Sequence, residues 1–117
     1  MVVWTAQNAP KMQDVASALD NASVASGAAA SGGSVASVFS ACQGLRSVVT
    51  TFQAAALPAP DAQLNDELTQ VMDGLRQGAD DCLAGRFEAT AADVTQALLH
   101  LQAANDRLIA LAGSGVR

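Results

Sequence analysis

An apolar side chain recurs every three or four residues along three long segments of this chain. That spacing is the period of one face of an α-helix, whereas a half-buried strand would alternate at every second residue. Each of the three segments is therefore predicted to form an amphipathic helix with one face toward a core. The stripe positions are Val35, Val38, Cys42, Leu45, Val49, Phe52 and Ala56; Leu64, Leu68, Val71, Leu75, Ala79 and Cys82; and Phe87, Ala91, Val94, Leu98, Leu101, Asn105, Leu108 and Ala112.

Helix-breaking residues separate these segments. Two prolines in residues 57–61 favour extended backbone, and Asp61 can cap the helix that follows. Residues 31–34 read Ser-Gly-Gly-Ser, and Gly85 suits the residue just after a helix end. Residues 8–10 read Asn-Ala-Pro, which predicts a helix start because asparagine caps well and proline fits the first turn.

The sequence therefore predicts an all-α fold, an antiparallel up-and-down four-helix bundle with short connections. The whole chain, 1–117, is expected to form a single helical-bundle domain. The first helix is the least amphipathic, so the alternative is a three-helix core with a loose N-terminal arm. The helices are predicted at roughly residues 9–30, 34–56, 61–84 and 87–112, with 1–8 and 113–117 as flexible termini.

Composition supports helix and excludes several partners. Alanine supplies much of the apolar half of the chain, and alanine loses no side-chain entropy in a helix. The net charge is −5, all of it in residues 61–117, where four arginines stand against nine acids. Nucleic acids and anionic membranes attract clustered Lys and Arg, so neither is predicted as a partner. No stretch of about 20 mainly apolar residues occurs, so no transmembrane segment is predicted in this chain.

The two cysteines bear most directly on the cellular compartment. Cys42 and Cys82 lie on the apolar stripes of the second and third helices, which face each other in a bundle. If these helices fold back about residues 58–59, Cys42 lies opposite residue 75, about 10 Å short of Cys82. An extended proline loop removes that offset. We therefore expect a Cys42–Cys82 disulfide, with two buried free thiols as the alternative.

His100 is the only histidine, and it is predicted to be exposed. It lies on the fourth helix almost opposite Leu98 and Leu101. Asp93 is two helical turns away, too far to orient the imidazole. We therefore predict no catalytic residue and no enzymatic activity.

Acidic residues recur every seven positions on the third helix, at Asp66, Asp73 and Asp80. We interpret them as a solvated helix face on which Arg76 pairs with Asp73 and Asp80. No zinc, di-iron or phosphate-loop motif accompanies them. The sequence predicts no metal ligand and no cofactor.

The second helix has an outward face of small uncharged residues, with Arg46 as its one charge. Solvated helices usually carry more Lys and Glu, so this face is a candidate surface for a protein partner or for self-association. The alternative is that the helix is simply central in the bundle and is touched on two sides. The residues of this candidate face are Ser37, Ser40, Gln43, Gly44, Ser47 and Thr51.

Together these features predict a non-enzymatic protein-interaction or sensor module, exported or extracytoplasmic, because disulfides persist in oxidising compartments. The first residues lack the features of a signal peptide, so this location requires that a signal or anchor has been removed. Two alternatives stay open. One is a bundle that binds a small apolar ligand in a cavity lined by Ala91, Ala97 and Ala104. The other is a self-associating cytosolic bundle.

Overall fold

A computed structural model describes residues 2–30 and 32–115, and four α-helices account for nearly all of them. They form an elongated bundle with principal extents of 53 × 21 × 20 Å. The all-α, four-helix prediction is confirmed. The helices are α1 (Val2–Ala30), α2 (Val35–Ala56), α3 (Ala62–Leu83) and α4 (Phe87–Gly115).

Contacts between the helices show that sequence neighbours run antiparallel. Near the start of α1, Trp4 Nε1 donates a hydrogen bond to the carbonyl oxygen of Ala56 at the end of α2, at 3.0 Å. Near the far end of α4, Arg107 donates two hydrogen bonds to Asp61, which immediately precedes α3. Close packing joins α1 to α2, α2 to α3 and α3 to α4. Among the described residues, the backbones of α1 and α4 pack less closely than those of these three pairs.

The predicted breaks form the connections between the helices. Gly32 and Gly85 adopt positive φ angles of 96° and 80°, a conformation that favours glycine. Asp61 caps α3 as predicted, because its Oδ2 accepts a hydrogen bond from the backbone N–H of Leu64 at 2.9 Å. In the proline loop, the backbone N–H of residue 59 donates to Asn65 Oδ1 at 2.7 Å. These bonds fix the direction in which α3 leaves the loop.

Helices α2 and α3 supply most of the large buried side chains. Their predicted stripes are buried throughout, except for Val35, which is 49% exposed at the start of α2. The outer helices contribute smaller side chains to the core, chiefly Val15 and Ala22 from α1. The largest fully buried side chains of the described chain are Phe52, Leu45, Leu64, Leu68, Leu75, Val38, Val49, Val71, Cys42 and Cys82.

Helix α1 begins at Val2, so the predicted start near residue 9 is wrong. Asn8 does not cap a helix. It is buried within one, and its Nδ2 donates to the carbonyl oxygen of Trp4 at 2.8 Å. Trp4 explains why the helix extends so far, since its indole packs against the core and its N–H satisfies a carbonyl that the end of α2 leaves free. Pro10 consequently lies inside the helix.

The two segments predicted as flexible termini are helical where they are described. Residues 2–8 belong to α1, and α4 continues through residue 113 to Gly115. Residues 1, 116 and 117 lie outside the described residues. The regular part of the chain is therefore longer at both ends than the sequence pattern indicated.

Helices α3 and α4 approach closely because glycine faces alanine where they meet. A Cβ atom added at Gly74 would lie 3.2 Å from the Cβ of Ala97, which is tighter than ordinary van der Waals contact. One turn further along α3, a Cβ at Gly78 would lie 3.4 Å from the Cβ of Asp93. Ala97 and Ala104 are the apolar residues of α4 that become fully buried, at 1% and 0% exposure.

The predicted core stripe of α4 is wrong for half of its members. Phe87 and Leu98 are 44% and 46% exposed, and Ala91 and Asn105 are exposed as well. Ala97 and Ala104 take the positions against α3, so the stripe is rotated toward α1 instead of into the core. Val94, Leu101 and Leu108 are half-buried, and the side chain of Ala112 lies outside those described.

Gly74→Leu is expected to lower the free energy of unfolding by about 1–3 kcal/mol, the usual cost of overpacking a tight contact. Gly44→Leu is the matched control, because Gly44 is exposed on α2 and an added Cβ there meets no atom within 4 Å. Leucine at that position should raise the free energy of unfolding through its better helix propensity. Urea denaturation followed by circular dichroism measures both. Equal effects of the two substitutions would contradict the close packing of α3 on α4.

Candidate functional site

Cys42 of α2 and Cys82 of α3 are joined by a disulfide, which confirms the expected pairing. Their Cα atoms lie 6.3 Å apart, and both side chains are buried. The register is centred near residues 62–63 and not 58–59, because the extended loop of residues 57–61 carries the chain beyond the end of α2 before α3 begins. Arg46 Nε accordingly lies 3.2 Å from Asp80 Oδ1 in the same register. The disulfide therefore links the two inner helices covalently.

All six residues of the candidate interaction face on α2 are exposed, and they line two separate depressions. Gly44 makes no close helix contact, since an added Cβ would meet nothing within 4 Å. The small size of Gly44 therefore does not serve close packing within the chain. The role of this face in partner binding stays a prediction. Ser37, Ser40 and Gly44 line a depression beside α1, and Gln43, Ser47 and Thr51 line another beside the end of α3.

A more apolar surface runs between α1 and α4, where the two outer helices do not close on each other. We call it the α1–α4 seam. Its walls are the side chains of the rotated α4 stripe and of the inner face of α1, and α3 lies beneath it. The seam residues are Ala9, Met12, Gln13, Ala16 and Leu19 of α1 and Leu98, Leu101, Gln102 and Asn105 of α4.

The charged side chain that lines the seam is Asp20, at one end of it. Lys11 is next to Met12 on α1 but does not line the seam. The seam itself contains no Lys or Arg among its lining residues. Three arginines are held elsewhere by carboxylates: Arg46 by Asp80, Arg86 by Asp81 and Arg107 by Asp61.

Three polar residues of α4 face α3 and contact acidic residues on it or just before it. They are spaced by seven along the helix: Asp93, His100 and Arg107. Arg107 Nε and Nη2 donate to Asp61 Oδ2 and Oδ1 at 2.9 and 2.8 Å. This pair, together with the capped N–H groups of α3, lowers the pKa of Asp61 to about 2. His100 Nδ1 lies 2.9 Å from Glu67 Oε2. His100 is half-buried, so its predicted exposure is wrong, because the close approach of α3 brings Glu67 over it.

The acidic stripe of α3 contacts α2 instead of pairing along its own helix. Asp80 pairs with Arg46, and Asp73 Oδ1 accepts a hydrogen bond from Gln53 Nε2 at 3.2 Å. The predicted pairs with Arg76 do not form among the described residues. Across residues 2–30 and 32–115, no three His, Cys, Asp or Glu side chains gather closely enough to hold a metal ion.

Asp81 and Asp93 form a carboxyl pair where α3 turns into α4. Asp81 is buried, and its Oδ1 accepts hydrogen bonds from Arg86 Nε and Nη2 at 3.0 and 2.9 Å. Asp93 Oδ2 is buried and accepts no hydrogen bond from the described residues. The hydrogen bond with Asp81 raises the pKa of Asp93 and burial raises it further, while Asp93 and Arg86 lower the pKa of Asp81. The pair therefore favours one shared proton, held by Asp93.

Sequence reasoning did not find the seam or this carboxyl pair. The available signal for both was the spacing of Gly74 and Gly78, which lie one helical turn apart on α3. Two glycines on one face allow a neighbouring helix to approach, and the approach decides which side of α4 is buried. The same close approach brings Asp81 and Asp93 together. The positions of these two carboxylates in the sequence do not by themselves indicate that they meet.

Within the described residues, no helix is both long enough and apolar enough to cross a lipid bilayer. No family model, no curated protein and no solved structure matches this chain. The candidate site is therefore interpreted from its own geometry and charge.

Asp93→Asn is expected to raise the melting temperature near neutral pH. Because the folded-state pKa of Asp93 lies above its ordinary value of 3.8, the stability it contributes is present at low pH and is lost as pH rises through the raised pKa. Asparagine keeps a donor toward Asp81 without ionising. Thermal unfolding at a series of pH values should show an advantage that grows with pH and disappears below 3.8. Asp66→Asn, an exposed acid on α3, is the control. A constant difference at every pH would contradict the shared proton.

Proposed function

We propose that this protein is a non-enzymatic protein-interaction module whose α1–α4 seam binds an amphipathic helix with basic residues beside its apolar face. The observation that supports this most strongly is the exposure of Leu98. It belongs to a continuous apolar stripe, yet it is 46% exposed within an apolar seam. Contiguous exposed apolar surface on a small domain commonly marks an interaction site.

The shape of the seam suits a helix lying parallel to α1 and α4. Met12 and Ala16 form one wall and Leu98 and Leu101 the other, each pair spaced by one helical turn. A helix laid between these walls would pack as a fifth member of the bundle, with its ridges in the groove between two helices. From Ala9 to Leu19 the α1 wall spans about 15 Å, which accommodates about three turns of a partner helix.

The charge around the seam sets the polarity of the partner. Asp20 is the charged side chain among the residues that line the seam, and no Lys or Arg is among them. Lys or Arg residues flanking the apolar face of the partner would be attracted, and acidic ones would be repelled. The α2 face is a weaker candidate, because its six residues are divided between two depressions and present mainly hydroxyl and amide groups.

The test is fluorescence anisotropy with a labelled 18-residue peptide of Leu and Lys, its leucines at i, i+3, i+4 and i+7. The wild-type protein should bind it saturably, and Leu98→Gln should weaken binding at least tenfold by removing the largest exposed wall residue. Leu99→Gln is the matched control, because Leu99 is 58% exposed but does not line the seam. It should bind like wild type.

Two further peptides separate helix recognition from general charge attraction. A Leu and Glu peptide of the same pattern should bind at least tenfold more weakly, and a Leu and Lys peptide with scrambled order should do the same. Equal losses in Leu98→Gln and Leu99→Gln would exclude the seam as the site. Equal binding of the ordered and scrambled peptides would exclude an amphipathic helix as its ligand.

The proposal also places the protein outside the cytoplasm, and the Cys42–Cys82 disulfide supports this. Structural disulfides persist in oxidising compartments and are rare in the cytosol. Protein isolated from its native host under thiol-trapping conditions and then denatured should contain no free thiol. Two trapped thiols per chain would remove the argument for export and would leave the seam proposal standing.

A further inference from the structure

A cavity of about 590 Å³ opens at the end of the bundle where α2 and α4 begin, and all four helices contribute to it. We call it the end cavity. Its deep wall consists of Val38, Cys42 and Leu45 of α2, all buried. Its volume falls within the range of about 300–1,000 Å³ that is typical of small-molecule sites.

Small residues create this space. Ala22 of α1 and Ala91 of α4 line the cavity where a larger side chain would fill it, and Gly78 of α3 lines it without adding a side chain. Phe87 is at the mouth, 44% exposed, and its ring stacks on that of Phe39 with centroids 6.2 Å apart. An aromatic pair at the mouth offers apolar contact to a molecule that enters.

The lining excludes charged ligands. Its polar side chains are the hydroxyls of Ser23, Ser26 and Thr90, and no ionisable side chain is among the lining residues. Thr90 Oγ1 already donates to the carbonyl oxygen of residue 86 at 3.1 Å. A charged group would lose its hydration here without gaining a counterion, which disfavours binding. A hydroxyl near the mouth could pair with Ser23 or Ser26.

We infer that the end cavity binds a neutral apolar small molecule with no more than a hydroxyl-like polar group. This site differs from the one proposed for the partner helix, since that helix contacts the seam around Met12, Ala16 and Leu98. The end cavity and the adjoining part of the seam share Leu19 and Ser23, but neither site requires the other to be occupied. The disulfide sulfur of Cys42 lies in the deep wall, so the covalent link between α2 and α3 keeps that wall in place.

The test is a fluorescence titration of the oxidised protein with 1-N-phenylnaphthylamine, a neutral apolar fluorophore. Saturable binding with one site per chain is expected. Ala91→Phe and Ser26→Phe place a large ring in the cavity from two different helices, and each should weaken binding at least tenfold. Both positions are exposed, so the fold should tolerate them, and circular dichroism checks this. Ala92→Phe is the matched control, because Ala92 is exposed on α4 and does not line the cavity.

Competition defines the ligand class. Decan-1-ol should displace the fluorophore at least tenfold more effectively than decanoate, which has the same chain length but carries a charge. The inference is overturned if the wild-type protein shows no saturable binding, if both phenylalanine variants bind like Ala92→Phe, or if decanoate competes as well as decan-1-ol. The peptide experiment on the seam is independent of each of these outcomes.

Discussion

The contact between Gly74 and Ala97 determines how this bundle is arranged. Because Gly74 has no side chain, α4 lies close against α3, and its rotation buries Ala97 and Ala104. Leu98, the next residue in the chain, is thereby turned to the side. A larger residue at position 74 would hold the helices apart and would leave room for the bulkier α4 stripe to face the core. The apolar surface of the protein is thus a consequence of one close helix contact.

The inner hairpin, formed by α2 and α3, stabilises the fold enough to allow this arrangement. Helices α2 and α3 contain most of the large buried side chains and are joined by the Cys42–Cys82 disulfide. A bond that closes a loop with a sequence separation of 40 contributes about 4 kcal/mol in the chain-entropy description. The outer helices can then carry alanine and serine where a core would want leucine. The seam and the end cavity both lie where α1, with its small side chains, does not cover α4.

The sequence predicted the inner helices well and the outer ones poorly. The apolar stripes of α2 and α3 are buried almost throughout, since each of these helices packs against two neighbours and its own pattern decides its buried face. The start of α1 was misplaced because Asn8 and Pro10 form a good capping signal locally, while Trp4 stabilises a longer helix through a distant contact with Ala56. The apolar stripe of α4 predicted the wrong buried face, because glycines on α3 set the orientation of that helix.

The same reasoning applies to the candidate sites. The disulfide could be predicted, because both cysteines lie on stripes that must face each other. The seam and the Asp81–Asp93 pair could not, since each depends on the distance between two helices and not on the pattern within one. Of the three alanines expected to line a ligand cavity, Ala91 lines the end cavity, whereas Ala97 and Ala104 are buried in the core.

The arrangement depends on Leu98 facing an open seam while Ala104 is buried in the core. Maleimide labelling rates of Leu98→Cys and Ala104→Cys in the folded, oxidised protein test it most directly. The labelling rate at position 98 should be at least 100-fold higher than at position 104, because a buried thiol reacts only when the structure opens. Equally slow labelling at both positions would show that α1 closes over α4 and would contradict it.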